Sequence, residues 1–558
     1  MRRFLAVLIV ASVLILPLPG SNAQRRSVRP RKPAATKAVS ISTKGVERIT
    51  ADQIKEYLYY IASDEMEGRD TPSRGLDNAA KFLASKVAQW RLKPAGDEGT
   101  YFQRIALRRD LIDQSQTMVA LNGQTQAFGS DYIPFAKTVD VTSQIVFAGN
   151  GWFVKSKNID AYNGIDAKGK IAVIFGPLNT FPRGIRPSDL SGKNGEDWMA
   201  PSEYAIKQGV AALVVVPDVH FVNNWERNRR RMTERGSTLV EKFYTARSPQ
   251  IPGIIASPKL AELLLQGEQP NAAAFLEAAT TGEMPAPFAM NSQKQLRIKI
   301  EEVKDPIWTQ NVVALFEGSD PVLKQEYIAL GAHYDHVGVG GQVGGDRIYN
   351  GADDDGSGTT ALLAIAEALA KSPTRPKRSI LFVWHSGEEK GLWGSRYFVE
   401  YPTVRLDKIV AQINIDMIGR SKKEGDINPR NRSLSGPHEI YVIGSRMMST
   451  ELGDLVESVN KGYLNLSYNY LYDNPADPNR FFYRSDHYNY ARKGIPIVFF
   501  FDGEHEDYHQ PSDSPDKIDY QKMEKVTRTV FMTMLEIANR PVRLKVDKPL
   551  PAVMINVN

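Results

Sequence analysis

The chain has 558 residues, 42% hydrophobic and 24% charged, enough for more than one domain and a sizeable buried core. It has no cysteine, which excludes disulfides, thiolate metal sites and a thiol nucleophile. The net charge of +6 is carried by the first 40 residues, whose eight basic and no acidic side chains leave −2 for the remainder. A folded basic surface for nucleic acid is thereby not indicated, and no nucleic acid partner is expected.

Residues 1–23 read as a secretory signal peptide. Arg2 and Arg3 precede the apolar run Phe4 to Leu16, and Ser21-Asn22-Ala23 offers a small-residue cleavage site. The run falls short of the ~18–20 residues that span a bilayer, so no stable membrane anchor is expected after cleavage. The protein is expected to be exported, to a periplasm or out of the cell. Residues 24–45, with Arg25, Arg26, Arg29, Arg31, Lys32 and Lys37, read as a flexible basic linker.

From Ile49 the pattern becomes helical: Ile54, Leu58 and Ile61, then Ala79, Phe82, Leu83 and Val87, fall at three- and four-residue spacing. The loop Asp64–Arg69 lies between them. Residues 46–140 are assigned to the N-terminal part of the main domain. Residues 141–300 have a different texture and read as a small β-rich inserted domain. Runs at Lys170–Phe175, Ala211–Val216 and Ile251–Ala256 suit strands, and Ser202–Gln208 suits a helix. The charge run Trp225–Arg235 inside this region reads as a solvated face.

Residues 301–540 alternate strands and helices. Val312–Phe316, Tyr327–Gly331, Ile380–Trp384, Val410–Ile415 and Ile497–Phe501 are near-continuous apolar runs, as in strands buried on both faces. Thr359–Lys371 and Gln521–Asn539 read as helices. The fold class is α/β, a mixed, mostly parallel sheet flanked by helices, with the small β-rich insertion. Residues 541–558 form a C-terminal tail.

Metal-capable side chains follow one strand after another. His333, Asp335 and His336 follow the first of the central runs, and Asp353-Asp354-Asp355 precedes a helix. Glu388 and Glu389 follow Ile380–Trp384, Asp416 follows Val410–Ile415, and His505 and His509 follow Ile497–Phe501. Singly, each has an ordinary explanation: a surface hydrogen bond, an N-cap, a solvated turn. Jointly, they meet at the carboxyl edge of a sheet, where ligands gather in α/β folds. Carboxylate and imidazole donors suit two zinc ions about 3.5–4 Å apart. Three carboxylates against two Zn²⁺, with one bridging hydroxide, make a neutral site. One glutamate of the pair is then held by metal, and its neighbour is free to act as general base.

The motifs Ala332–His336, Gly351–Gly358, Gly387–Gly391, Asn414–Gly419 and Tyr508–Asp513 resemble those of a known family. This is the co-catalytic dizinc exopeptidase family that includes secreted bacterial aminopeptidases, glutamate carboxypeptidase and the transferrin receptor. The resemblance covers residues 46–140 and 305–540. Residues 141–300 resemble the protease-associated domain often inserted in it, on Gly169–Ile174 and Gly209–Val215. It implies two Zn²⁺ per chain, with Asp354 bridging, His333 and Asp416 completing one site, and Glu389 and His509 completing the other. It implies Glu388 as catalytic general base and Asp335 as the residue orienting His333. His336, His487 and His505 carry no implied ligand role and are assigned to the surroundings of the metals or the substrate rim. Asp355 stands where family members often have Asn. The implied activity is hydrolysis of N-terminal residues from peptides. A carboxypeptidase or dipeptidase on the same site is the alternative, and a non-catalytic receptor-like binding protein a more distant one, since the receptor branch has lost metal ligands.

Overall fold

The computed structural model describes residues 45–551 apart from 136, 177–180, 182–183, 187–188, 244–250 and 270–284. The expected signal peptide, nearly all of the basic linker and the last seven residues of the tail lie outside the described residues. No described helix is long and apolar enough to cross a membrane.

The first two helices, α1 (Ala51–Ile61) and α2 (Arg74–Gln89), begin where side-chain oxygens can satisfy their free N–H groups. Thr50 Oγ1 accepts from the Gln53 amide, and Ser73 Oγ from the Leu76 amide. Their apolar stripes, Ile54, Leu58 and Ile61, then Leu76, Ala79, Leu83 and Val87, are buried as the spacing predicts.

The main sheet is mixed and ten-stranded. Its principal strands are β1 (Phe102–Ile112), β2 (Glu302–Phe316), β3 (Tyr327–His333), β4 (Ser379–His385), β5 (Ile409–Ile415), β6 (Glu439–Ile443) and β7 (Ile497–Phe501). Across the sheet the order is β1-β2-β4-β3-β5-β7-β6, extended by Ser237–Val240 beyond β1 and Ser467–Asn469 beyond β6. The four central strands β4, β3, β5 and β7 are mutually parallel and wholly or almost wholly buried. Their carboxyl ends therefore lie side by side at one edge.

Two helices cover this centre. Helix α3 (Gly358–Ala370) is buried from Gly358 to Leu369, because it lies between β3 and the helices α1 and α4 (Tyr520–Asn539). Strand β2 is longer than the expected Val312–Phe316. Its first half pairs with β1 and its second with β4. The first half has no continuous apolar run because one face is open to solvent, with Trp308 57% exposed.

A second sheet of nine strands gathers most of the middle region. Its parallel core is Val139–Phe147, Ile171–Phe175, Ala212–Val216 and Gly253–Ala256, over an apolar core that includes Val173, Val214 and Ile254. Strand pairing does not follow the change in texture at residue 141. Met118–Leu121 and Tyr132–Pro134 pair within this second sheet, whereas Ser237–Val240 pairs with β1 of the main sheet. Trp225–Arg235 forms a short helix and a wide turn with no buried residue. Arg229 and Arg230 pair with Glu226 there.

Candidate metal centre

The strands bring the side chains together. His333 is the last residue of β3, Glu388 and Glu389 lie in the turn after β4, Asp416 follows β5, and His509 lies in the loop after β7. Asp354 comes from the turn Ala352–Ser357 that leads into α3. Asp354 is the hub. Its Oδ1 is 3.2 Å from His333 Nε2, and its Oδ2 is 3.1 Å from His509 Nε2. His333 Nε2 also lies 3.5 Å from Asp416 Oδ1, and His509 Nε2 lies 3.2 Å from Glu389 Oε1. All five residues expected as ligands thus meet around one buried carboxylate, each Asp354 oxygen facing a different imidazole.

Donor atoms fall into two groups whose members lie within 4.8 Å of one another: His336, Asp354, Glu389 and His509, and separately His333, Asp355 and Asp416. Asp355 is already engaged. Its Oδ1 accepts from the Gly358 and Met417 amides at 2.8 and 3.2 Å, and its Oδ2 from the His333 amide at 3.1 Å. In contrast, His509 Nε2, Glu389 Oε1 and both ring nitrogens of His336 are buried and find no hydrogen-bond partner among the described residues. Buried polar atoms are rarely left in that condition without a ligand to meet them.

Glu388 stands beside this cluster. Its Oε2 is 4.0 Å from His333 Nε2, and its side chain lines a cleft with Asp354, Asp416, Met417, Phe481, Phe499 and Phe501. Arg484, Glu504 and Tyr508 line it too, and Arg484 Nη2 donates to Glu504 Oε1 at 2.7 Å.

Electrostatics separates the two adjacent glutamates. Burial pushes the Glu388 carboxyl well above its ordinary value; His333 opposes this, and the charges of Glu389 and Asp416 add to it. Burial acts on Glu389 in the same sense, but His336 and His509 outweigh it and hold that carboxyl down to about 2. Burial would lower His509, yet Asp354 and Glu389 hold it up at about 10. Two neighbours in sequence thus sit in opposite environments, one biased toward holding a proton and one toward giving it up.

The surroundings fix these positions. His333 Nδ1 donates to the Asp335 carbonyl at 3.1 Å, while the Asp335 carboxylate is farther, at 3.7 Å. That carboxylate instead accepts from the Glu388 amide at 3.1 Å, linking the end of β3 to the turn after β4. The Asp513 carboxylate accepts from the amides of Asp353 and Asp354. Of the three histidines without an implied ligand role, His487 is buried against Phe499 and bonded to the Phe482 carbonyl, and His505 Nε2 lies 3.2 Å from Asp353 Oδ2. Neither belongs to a donor group; His336 does.

Comparison with known proteins agrees with this geometry. Residues 311–534 match the model of Peptidase family M28. The segment that carries the site is the part of the chain that matches this family's model. Over 201 residues the chain is 32% identical to a probable leucine aminopeptidase 2 of Aspergillus oryzae, covering 35% of this chain and 34% of that protein. Over 194 residues it is 34% identical to leupeptin-inactivating enzyme 1 of Streptomyces exfoliatus, covering 35% and 36%. The chain thus spans about a third of the length of the curated relatives it matches. A solved aminopeptidase from Aneurinibacillus sp. strain AM-1 is 17% identical, with TM-score 0.49 over 90% of this chain and 97% of that one.

One residue that braces the M28 segment comes from outside it and was not singled out by sequence. Arg69 is fully buried, and its guanidinium donates to the carbonyls of Tyr334, Ile61, Asn350 and Gly351 at 2.7–2.8 Å. Its own carbonyl accepts from the His336 amide. It ties the stretch after β3 to the turn carrying Asp354. An arginine in the charged loop Asp64–Arg69 gives no local sign of this, because its acceptors are mostly remote in sequence.

Proposed function

We propose that the protein is an exported dizinc metallo-aminopeptidase that hydrolyses N-terminal residues from peptides. The observation that carries the reading is Glu388 at the cleft wall, beside four donor side chains gathered around Asp354 in the segment that matches the M28 model.

The donor set fits zinc: two imidazoles and three carboxylates, with His509 Nε2 and Glu389 Oε1 buried and lacking hydrogen-bond partners among the described residues. His333 and Asp416 would hold one ion, Glu389 and His509 the other, and Asp354 would bridge. When bound, such a pair supplies Lewis acidity and a water acidic enough to act as nucleophile near neutral pH. Glu388 would take a proton from the attacking water on a carboxylate oxygen and pass it to the amine nitrogen as the peptide C–N bond breaks. The water oxygen becomes part of the new carboxyl group, whose remaining proton ends on the amine, so the products are a carboxylate and an ammonium and atoms and charge balance. The upward bias on the Glu388 carboxyl suits a group that must both accept and release a proton. Asp335 holds the Glu388 amide and so positions this base. The apolar walls Met417, Phe481, Phe499 and Phe501 receive the side chain of the terminal residue.

The region 141–300 is proposed to be an inserted protease-associated domain that limits access to short peptides. Equal kcat/KM on short and long peptides of the same N-terminal sequence would remove that role.

The main test is mass spectrometry of one peptide incubated with the protein in free and N-acetylated forms. Stepwise loss from the N-terminus of the free form alone is expected. Trimming of both forms from the other end would replace the assignment with a carboxypeptidase.

A further inference from the structure

We infer that His336 is a metal ligand, so that the ion held by Glu389 and His509 has two imidazoles and four protein donors in all. The inference rests on the two-metal reading above and adds a residue to it.

Three observations carry it. His336 Nδ1 lies 2.9 Å from Glu389 Oε1 and 3.6 Å from Asp354 Oδ2, within the same donor group as His509. The ring is fully buried, and neither nitrogen has a hydrogen-bond partner among the described residues. Leaving an imidazole so placed without a ligand would forfeit its solvation for nothing. The backbone also makes room for it. Gly351 has φ +57°, and a Cβ there would come within 2.5 Å of His336 Cγ, so the ring occupies space that only glycine leaves. The His336 amide is held by the Arg69 carbonyl, which fixes where the side chain starts.

The two positions are then unequal. One is built from His333, Asp416 and a share of Asp354, because Asp355 is committed to backbone amides. The other has His336, His509, Glu389 and the remaining Asp354 oxygen. With four protein donors against three, this position would hold its ion the more tightly. The ion at His336 is the tighter and fills first.

Cobalt(II) serves as the probe, since each coordinated histidine contributes one strongly shifted, solvent-exchangeable ring N–H resonance in the proton NMR spectrum. The full chain loaded with Co²⁺ is expected to take up two ions and to show three such resonances. His336→Gln should show two, with the tighter ion weakened by about tenfold or more. Two ions with only two exchangeable resonances in the unsubstituted protein would overturn the role of His336 while leaving the dizinc reading intact. Uptake of fewer than two ions would overturn the dizinc reading and this inference with it. Because the count is made first on the unsubstituted protein, a variant that fails to fold does not spare the claim.

Discussion

The molecule contains two parallel-stranded centres that use similar side chains inside and differ at their edges. In the main sheet β3, β4, β5 and β7 are buried apolar strands, and so are Ile171–Phe175, Ala212–Val216 and Gly253–Ala256 in the second. In the M28 segment each central strand is followed by an imidazole or carboxylate that turns inward. In the second sheet Ala212–Val216 and Gly253–Ala256 lead into the helices Val219–Asn223 and Pro258–Leu265, and among the described residues neither metal-capable group draws a side chain from it. A buried parallel sheet therefore provides a rigid edge, and the residues placed just beyond that edge decide whether it holds a reactive site or serves as a stable body.

The comparison breaks most visibly at Asp354. Its two oxygens face His333 and His509, one histidine from each donor group, so Asp354→Ala should strip both metals and lower turnover by at least about 10³-fold, as read by metal analysis and initial rates. Chelation should give the same loss, and added Zn²⁺ should restore it. A smaller but still large effect is expected at Arg69. Arg69→Met leaves the buried carbonyls of Tyr334, Ile61 and Asn350 without their donor, while that of Gly351 keeps the Gly356 amide, and should cost ~3 kcal/mol or more, seen as a lower unfolding midpoint by circular dichroism. An unchanged midpoint would mean those carbonyls find other partners.

The second sheet sharpens the contrast from the other side. Ile254→Ala should cost ~2–4 kcal/mol through the cavity it leaves, while metal content and kcat on a short peptide stay as they were. Loss of metal with this substitution would show that the two regions are not independent. Smallest of all, Glu226→Ala in the exposed charge run should leave the unfolding midpoint unmoved, because its ion pairs are solvated.

Much of the site was legible in the sequence because doubly buried strands are continuous apolar runs, and the polar residues that follow them stand out. His333, Asp354, Glu389, Asp416 and His509 converge as expected for that reason. What escaped depends on pairing between distant segments. The first half of β2 is only partly buried and has no continuous apolar run, so only its doubly buried end reads as a strand. Arg69 takes most of its meaning from carbonyls more than 260 residues away. His336 closes a recognised motif, and only the approach of Glu389 and the space left by Gly351 show where its ring goes.

The central claim is that the cluster holds two metals while Glu388, beside them, moves the proton. Zinc content and turnover of Glu388→Gln, measured on the same preparation, test it most directly. Two zinc ions per chain are expected, as in the unsubstituted protein, with turnover lower by roughly 10²–10⁴-fold. Turnover near the original rate, or loss of zinc together with activity, would contradict it.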